Sequence, residues 1–343
     1  MKPDLEEALR QVIRAVEFQS TDRFTFAERS STEWAGNGMP SFHPNSRFTP
    51  AMSPVVATLQ NVLYGNCYVK PFDGSISDVV LDMTSGAADE WVDSLSAANS
   101  SKERWEEGWR VQSFLPTGQI YAERPGANRA FWPGEFLTRG SPGMAPQPGT
   151  PIAVLLPREA RHLQPGFYFV FGETVGEQHD EFANVRYYWN LQQEGAAELV
   201  RLLTAVLNKY QVPFKLKVVN HPRLLGRSDA SVLYVGRRYY RIAAEIAFEV
   251  HEAVGQSLND AVPLFTQRLR RGLAFAEDPG PQESFGMARC RLLAEGLSMA
   301  FQEGISGVDD RLERINRHFA QSGITLEHPH LNTATADPYE FPA

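Results

Sequence analysis

The chain has 343 residues, 43% of them hydrophobic and 22% charged, with a formal net charge of −8. That length and apolar content suffice for a large buried core in one or two domains. The acidic balance excludes a general nucleic-acid binder, which needs a basic footprint, but leaves room for a local site that holds one small anion.

The N-terminal stretch predicts a helix over residues 4–18. Asp4 caps it, and Leu5, Leu9, Val12, Ile13 and Val16 share one face. Its acidic, amphipathic character is not that of a secretory signal, and no apolar run reaches the roughly 18–20 residues of a membrane span. Residues 19–50, rich in Ser, Pro, Gly and Asn, read as a long surface loop. VVATLQNVLY predicts a second helix from Pro54 to Tyr64, and a third covers Ala87 to Ala98. The period then changes: GWRVQSFLPTGQIYAE reads as a hairpin turning at Pro116, Thr117 and Gly118. TRGSPGMAPQPGT, residues 138–150, has the Pro/Gly density of a linker, and a boundary is expected there.

Three strand-like runs follow, PIAVLLP, GFYFVFGE and NVRYYWNLQ. GAAELVRLLTAVLNKY is a helix with Leu199, Leu202, Leu203, Val206 and Leu207 as its apolar stripe. PFKLKVVNHP and SVLYVGRRYYRI supply further strands. RIAAEIAFEVHEAVGQSL, SFGMARCRLLAEGLSMAFQ and VDDRLERINRHFAQ are helices, and the tail from His328 is irregular. Clustered strands with short connections favour an α+β fold, a largely antiparallel central sheet flanked by helices. The expected organisation is an N-terminal helix and loop over 1–50, a helical and hairpin subdomain over 51–140, and an α+β core over 151–335.

The segment PFKLKVVNHPRLLGRSD concentrates the candidate chemistry. In a strand, Lys215 and Lys217 share a face, about 6.5–7 Å apart, near enough to converge on one phosphate. His221, Arg223 and Arg227 follow, and Asp229 can orient Arg227 through a bidentate pair. On pattern alone, a solvated lysine face and a charged turn explain the segment better. In NVRYYWN, Arg186, Tyr188 and Asn190 alternate with Tyr187, Trp189 and Leu191. If the two strands pair, Arg186 or Asn190 lies near the lysines. The histidines show no HxxxH or HxxE spacing, HPH at 328–330 falls in the tail, and no metal site is expected. Glu277 and Asp278 read as part of a capped loop before the helix at Phe285. GxGxxG, GxxxxGK[ST] and GxSxG are absent, so nucleotide loops and a serine elbow have no support. Cys67 and Cys290 have no CxxC spacing, which fits a reducing cytoplasm.

GWRVQSFLPTGQIYAERPG with FWPGEF, VRYYWNLQQEGAAELVRLLTAVLN, PFKLKVVNHP, RSDASVLYV, AEDPGPQESFGMARCRLLAEG and the late HLN together resemble the HopA-type effector family, from about Leu59 to Asn332. Proteins of this kind also accompany class V lanthipeptide pathways. There the resemblance implies a cofactor-free lyase that eliminates phosphate from phosphoserine or phosphothreonine in a precursor peptide, leaving dehydroalanine or dehydrobutyrine. Carried onto this sequence, it implies Lys217 as base, Lys215 as alternate base or phosphate ligand and His221 as acid. Arg227 and Arg186 would clamp the phosphate, with Asp229 orienting Arg227. The implied partners are the phosphorylated precursor peptide and a separate kinase-like protein, with neither nucleic acid nor membrane. A non-catalytic phosphopeptide or leader-peptide binder, or a host-directed type III effector, is the alternative. The lack of a Ser-rich secretion leader favours the biosynthetic role.

Overall fold

The computed structural model describes residues 1–35, 52–76, 88–139, 145–333, 335–337 and 339–342. Helix α1 (Pro3–Ala15) buries Leu9, Val12 and Ile13, but stops three residues short of the expected end. Val16 instead opens strand β1 (Val16–Ser20), which pairs antiparallel with β2 (Arg23–Phe26) and, through it, β3 (Arg29–Ser30). Val16 and Phe18 face Phe26 and Phe24 across the ladder. Such branched and aromatic cross-strand pairs outweigh the helical periodicity that continued into Val16. The expected loop thus begins as a hairpin followed by α2 (Ser31–Ala35), and its part over 36–50 lies outside the described residues.

Helix α3 (Pro54–Leu63) starts where expected. Pro54 occupies the first turn, and the Ser53 hydroxyl accepts from Val56 N–H. It runs on into a π-helical turn, Tyr64–Tyr68. Helix α4 (Asp89–Ala98) also matches its expectation, with Ala87 outside the described residues.

Strands β4 (Arg104–Phe114), β5 (Ile120–Arg124), β6 (Ala127–Phe131), β7 (Phe136–Thr138) and β8 (Pro151–Leu156) form a five-stranded sheet in the order β6-β5-β4-β8-β7. β4 and β5 are the expected hairpin, closed by Leu115 N–H donating to Gln119 C=O. β8 pairs with both β4 and β7. One sheet therefore continues across the Pro/Gly-rich segment at 138–150 where composition suggested a boundary.

The second, seven-stranded sheet is antiparallel between all neighbours and has the order β14-β15-β11-β13-β12-β10-β9. Its strands are β9 (Glu159–Gln164), β10 (Phe167–Phe171), β11 (Asn184–Trp189), β12 (Phe214–Val219), β13 (Ser231–Gly236), β14 (Gln267–Arg270) and β15 (Leu273–Glu277). Helices α5 (Gln193–Lys209) and α6 (Tyr240–Val254) cover one face, packing Leu199, Leu203 and Ala247 with Tyr187, Trp189, Leu216 and Leu233. Helices α7 (Phe285–Gln302) and α8 (Val308–Gln321), with α1 and α3, bury Tyr188, Val232, Ala274 and Ala276 on the other. The fold is α+β, as its pattern implied. β9, β14 and β15 were not anticipated: EARHLQ and QRLR are polar edge segments, and LAFAE alternates alanines that carry little strand preference.

One close approach ties the π-helical turn to α7. A Cβ on Gly286 would lie 2.4 Å from the Tyr68 ring, so only glycine admits that ring. Gly286→Ala is expected to lower stability by about 1–3 kcal/mol in urea denaturation through overpacking. Gly226→Ala, at a position with nothing within 4 Å of the added carbon, should change it by less than about 0.5 kcal/mol.

Candidate active site

Residues directly opposed across a sheet share a face. The register aligns Arg186 with Tyr234 and Tyr234 with Lys215, so these three form one row across β11, β13 and β12. The next row on that face holds Tyr188, Val232 and Lys217. Under α3 and α7 the row starts buried at Tyr188; it emerges at β12, where Lys217 is half-buried and Lys215 exposed. β11 and β12 do not pair directly, as the condition on Arg186 and Asn190 required. β13 lies between them, and Tyr234 occupies the position where their charges would meet.

Three cations surround that ring. Lys215 Nζ lies 4.7 Å from its centroid, Arg186 Cζ 5.1 Å and Lys217 Nζ 5.9 Å. Burial would raise the Tyr234 phenol, but Lys217, Arg186 and Lys215 outweigh it and leave the group below its usual range. Lys217 Nζ also sits 4.2 Å from the Phe167 ring centroid, toward which Arg227 points from 5.9 Å.

Arg227 is 1% exposed, and Asp229 holds it in a bidentate pair, Nε to Oδ1 at 2.8 Å and Nη2 to Oδ2 at 3.0 Å. The Tyr64 hydroxyl closes the triangle. It accepts from Arg227 Nη2 at 3.0 Å and donates to Asp229 Oδ2 at 3.2 Å. The π-helical turn brings Tyr64 there and stacks it on Tyr68, 5.2 Å between centroids. π-Turns inside helices are frequent at functional sites. Ser228 fastens the arginine's loop to the same turn, its N–H donating to Val69 C=O and its hydroxyl to Tyr68 C=O. Burial opposes ionisation of Asp229, but Arg227 and then Lys217 hold its carboxyl below the usual range.

Arg186 is anchored separately, its Nη2 donating to Asp278 Oδ1 at 2.9 Å; that oxygen also accepts from Gly280 N–H. Asp278, read from sequence as a loop residue, therefore positions one of the cations. Four cations against Asp229 and Asp278 leave a local excess of two positive charges in a chain of net charge −8. His221 faces a local task instead: its Nδ1 accepts from Arg223 N–H and caps the turn Pro222–Leu224. Sequence reasoning missed Tyr234 and Tyr64. The first could have been found by alternation in SVLYVG; the second had no local signal.

A cleft of about 450 Å³ leads to this face. Phe171, Pro213, Phe214 and Tyr234 line it, with Arg129 from the five-stranded sheet, and of the four cations only Lys215 reaches it. A larger hollow of about 630 Å³ lies against α1 and β2 and holds none of the four cations.

Residues 158–331, half of the chain, match the model of the HopA1 effector protein family. The chain belongs to that family. All four cations and both carboxylates of the site lie within the matched HopA1 segment, whereas Tyr64 and Tyr68 lie before it. Two solved structures resemble this HopA1 member across nearly its whole length. The effector protein from Pseudomonas syringae pv. tomato strain DC3000 aligns at 15% identity and a TM-score of 0.46, covering 96% of this chain and 100% of its own. The effector from Pseudomonas syringae pv. syringae strain 61 aligns at 12% identity and a TM-score of 0.42, covering 97% and 99%. No curated protein matches the chain in sequence. Among the described residues, no helix is long and apolar enough to cross a membrane.

The buried pair has a pH signature. Because the folded state holds the Asp229 carboxyl below its unfolded value of about 3.9, its contribution to stability is full above that pH. The contribution is lost as pH falls through the lower, folded-state value. Asp229→Asn should cost about 3–5 kcal/mol at neutral pH, having removed the carboxylate from a buried guanidinium. It should also flatten the fall in stability below about pH 4; circular dichroism in urea at stepped pH measures both.

Proposed function

We propose that this HopA1-family protein is a phosphoserine/phosphothreonine lyase. It acts on a phosphorylated precursor peptide supplied by a separate kinase-like protein and yields dehydroalanine or dehydrobutyrine. The observation that carries the reading is the convergence of Lys215, Lys217, Arg186 and Arg227 on one sheet face, around Tyr234 and Phe167, beside a cleft that Lys215 and Tyr234 line.

β-Elimination removes a weakly acidic α-proton while phosphate leaves from the β-carbon. Lys217, the more enclosed lysine, takes the α-proton. The electron pair forms the Cα–Cβ double bond as the Cβ–O bond breaks. Lys215 at the exposed rim meets the departing phosphate, while the buried charges of Arg227, set by Asp229 and Tyr64, and of Arg186 offset its growing charge from farther back. The leaving oxygen needs a proton. Tyr234 supplies it better than His221, because its phenol is more acidic than usual and sits among the cations, while His221 Nδ1 is engaged in a turn. The proton held by Lys217 then restores Tyr234, so no metal or organic cofactor enters the balance. The peptide runs along the cleft past Phe171 and Phe214, presenting its phosphate to Lys215 first.

Incubation with a phosphothreonine form of the precursor peptide, followed by mass spectrometry, should show loss of one phosphoric acid. Lys217→Ala and Tyr234→Phe should each lower the rate by about 10²–10⁴-fold, the usual worth of a general base or acid, with the fold retained. Stoichiometric capture of the peptide with phosphate intact would instead make the protein a phosphopeptide-binding module. Undiminished turnover by Lys217→Ala would remove the base assignment.

A further inference from the structure

The irregular tail after α8 is tied down at many points. Arg289, buried in α7, donates from Nε to Pro329 C=O and from Nη2 to Leu331 C=O, each at 2.7 Å. His330 C=O accepts from Glu277 N–H. Glu277 Oε2 accepts from Asn332 N–H, and Asn332 Nδ2 donates to Asp278 C=O. Beyond Asn332 the chain returns, and the Tyr339 hydroxyl donates to Glu277 Oε1 while its ring packs 4.6 Å from Phe275.

Inside this return three donors converge. His328 Nδ1 lies 3.5 Å from Asp337 Oδ2, and His330 Nε2 lies 3.7 Å from the same oxygen. One ligand atom from each of the three residues falls within 4.8 Å of the other two. The two imidazole–carboxylate separations exceed ordinary hydrogen bonds. They come close to the spacing of donors around a shared ion, since tetrahedral bonds of about 2.0–2.2 Å place neighbouring ligands about 3.3–3.6 Å apart. His330 supplies an independent observation. It is 2% exposed, and its Nε2 is buried without a hydrogen-bond partner. A buried imidazole nitrogen left unsatisfied is costly, and this one is aimed at the point the other two donors share. The spacing, HxH with an aspartate seven residues on, escapes the helical HxxxH pattern because the ligands sit on an irregular turn.

We propose that His328, His330 and Asp337 form a binding site for a divalent transition-metal ion of the Zn²⁺ class, which clasps the returning tail over β15. Two imidazoles and one carboxylate suit a borderline ion better than Mg²⁺ or Ca²⁺, which prefer all-oxygen shells. Exposed His328 rotates to close the triad, and water or a further donor completes the tetrahedron. The clasp acts on the same backbone that Asn332 fastens to Asp278, and so on the carboxylate that anchors Arg186. It is independent of the lyase reading, because it depends only on the tail.

The untagged full chain, stripped with EDTA and dialysed, is titrated with Zn²⁺ against a chromophoric chelator, and its thermal unfolding is followed with and without the ion. The expected result is one Zn²⁺ per chain, a raised Tm, and no response to Mg²⁺. Asp337→Asn and His328→Ala alter partly exposed side chains and so leave the fold intact. Each should weaken Zn²⁺ binding by more than the roughly 10- to 100-fold that loss of an outer partner costs, and remove the Tm response. A wild-type chain that takes up no Zn²⁺, or Zn²⁺ uptake equal in wild type and both variants, overturns the proposal.

Discussion

A guanidinium and a carboxylate sealed away from water between a sheet and a helical layer are the constraint from which the rest of this architecture follows. Arg227 and Asp229 are each under 5% exposed, and desolvating either alone would be prohibitive. Their fork geometry and the Tyr64 hydroxyl make the pair tolerable, and Tyr64 reaches it from the π-turn that ends α3. That turn needs Tyr68 against α7, and Tyr68 needs the glycine at 286. A chain of exact fits thus runs from one ion pair to the packing of two helices.

The same sheet face explains how an acidic protein can gather positive charge. Strand alternation puts Lys215 and Lys217 on one side, and the ladder through β13 adds Arg186. Like charges this close repel, and two features make the cluster bearable. Asp229 and Asp278 offset part of it, and the faces of Tyr234 and Phe167 present negative quadrupole density to the cations. A phosphate dianion would satisfy what remains.

Much of this was legible in the sequence, and the boundary of legibility is physical. The alternation of PFKLKVV and the two-residue spacing of Arg227 and Asp229 are local, so the shared lysine face and the bidentate pair could both be read directly. Alternation in SVLYVG puts Tyr234 on one strand face, but the insertion of β13 between β11 and β12, which sets that face among the cations, is a long-range pairing that no window of sequence contains. Helix α1 read as too long because its apolar period runs unbroken into Val16, where a hairpin partner takes over. His328 and His330 were passed over because their meeting with Asp337 depends on how an irregular tail folds back.

The separation along the chain between Tyr64 and Arg227 has a kinetic consequence. They are 163 positions apart, and contacts that close so long a loop form late, after local helices and hairpins. During synthesis, β12 with its lysines emerges well before β15 brings Asp278 to Arg186. The cationic face therefore exists for a time as an unfinished surface, without its full complement of counter-charges.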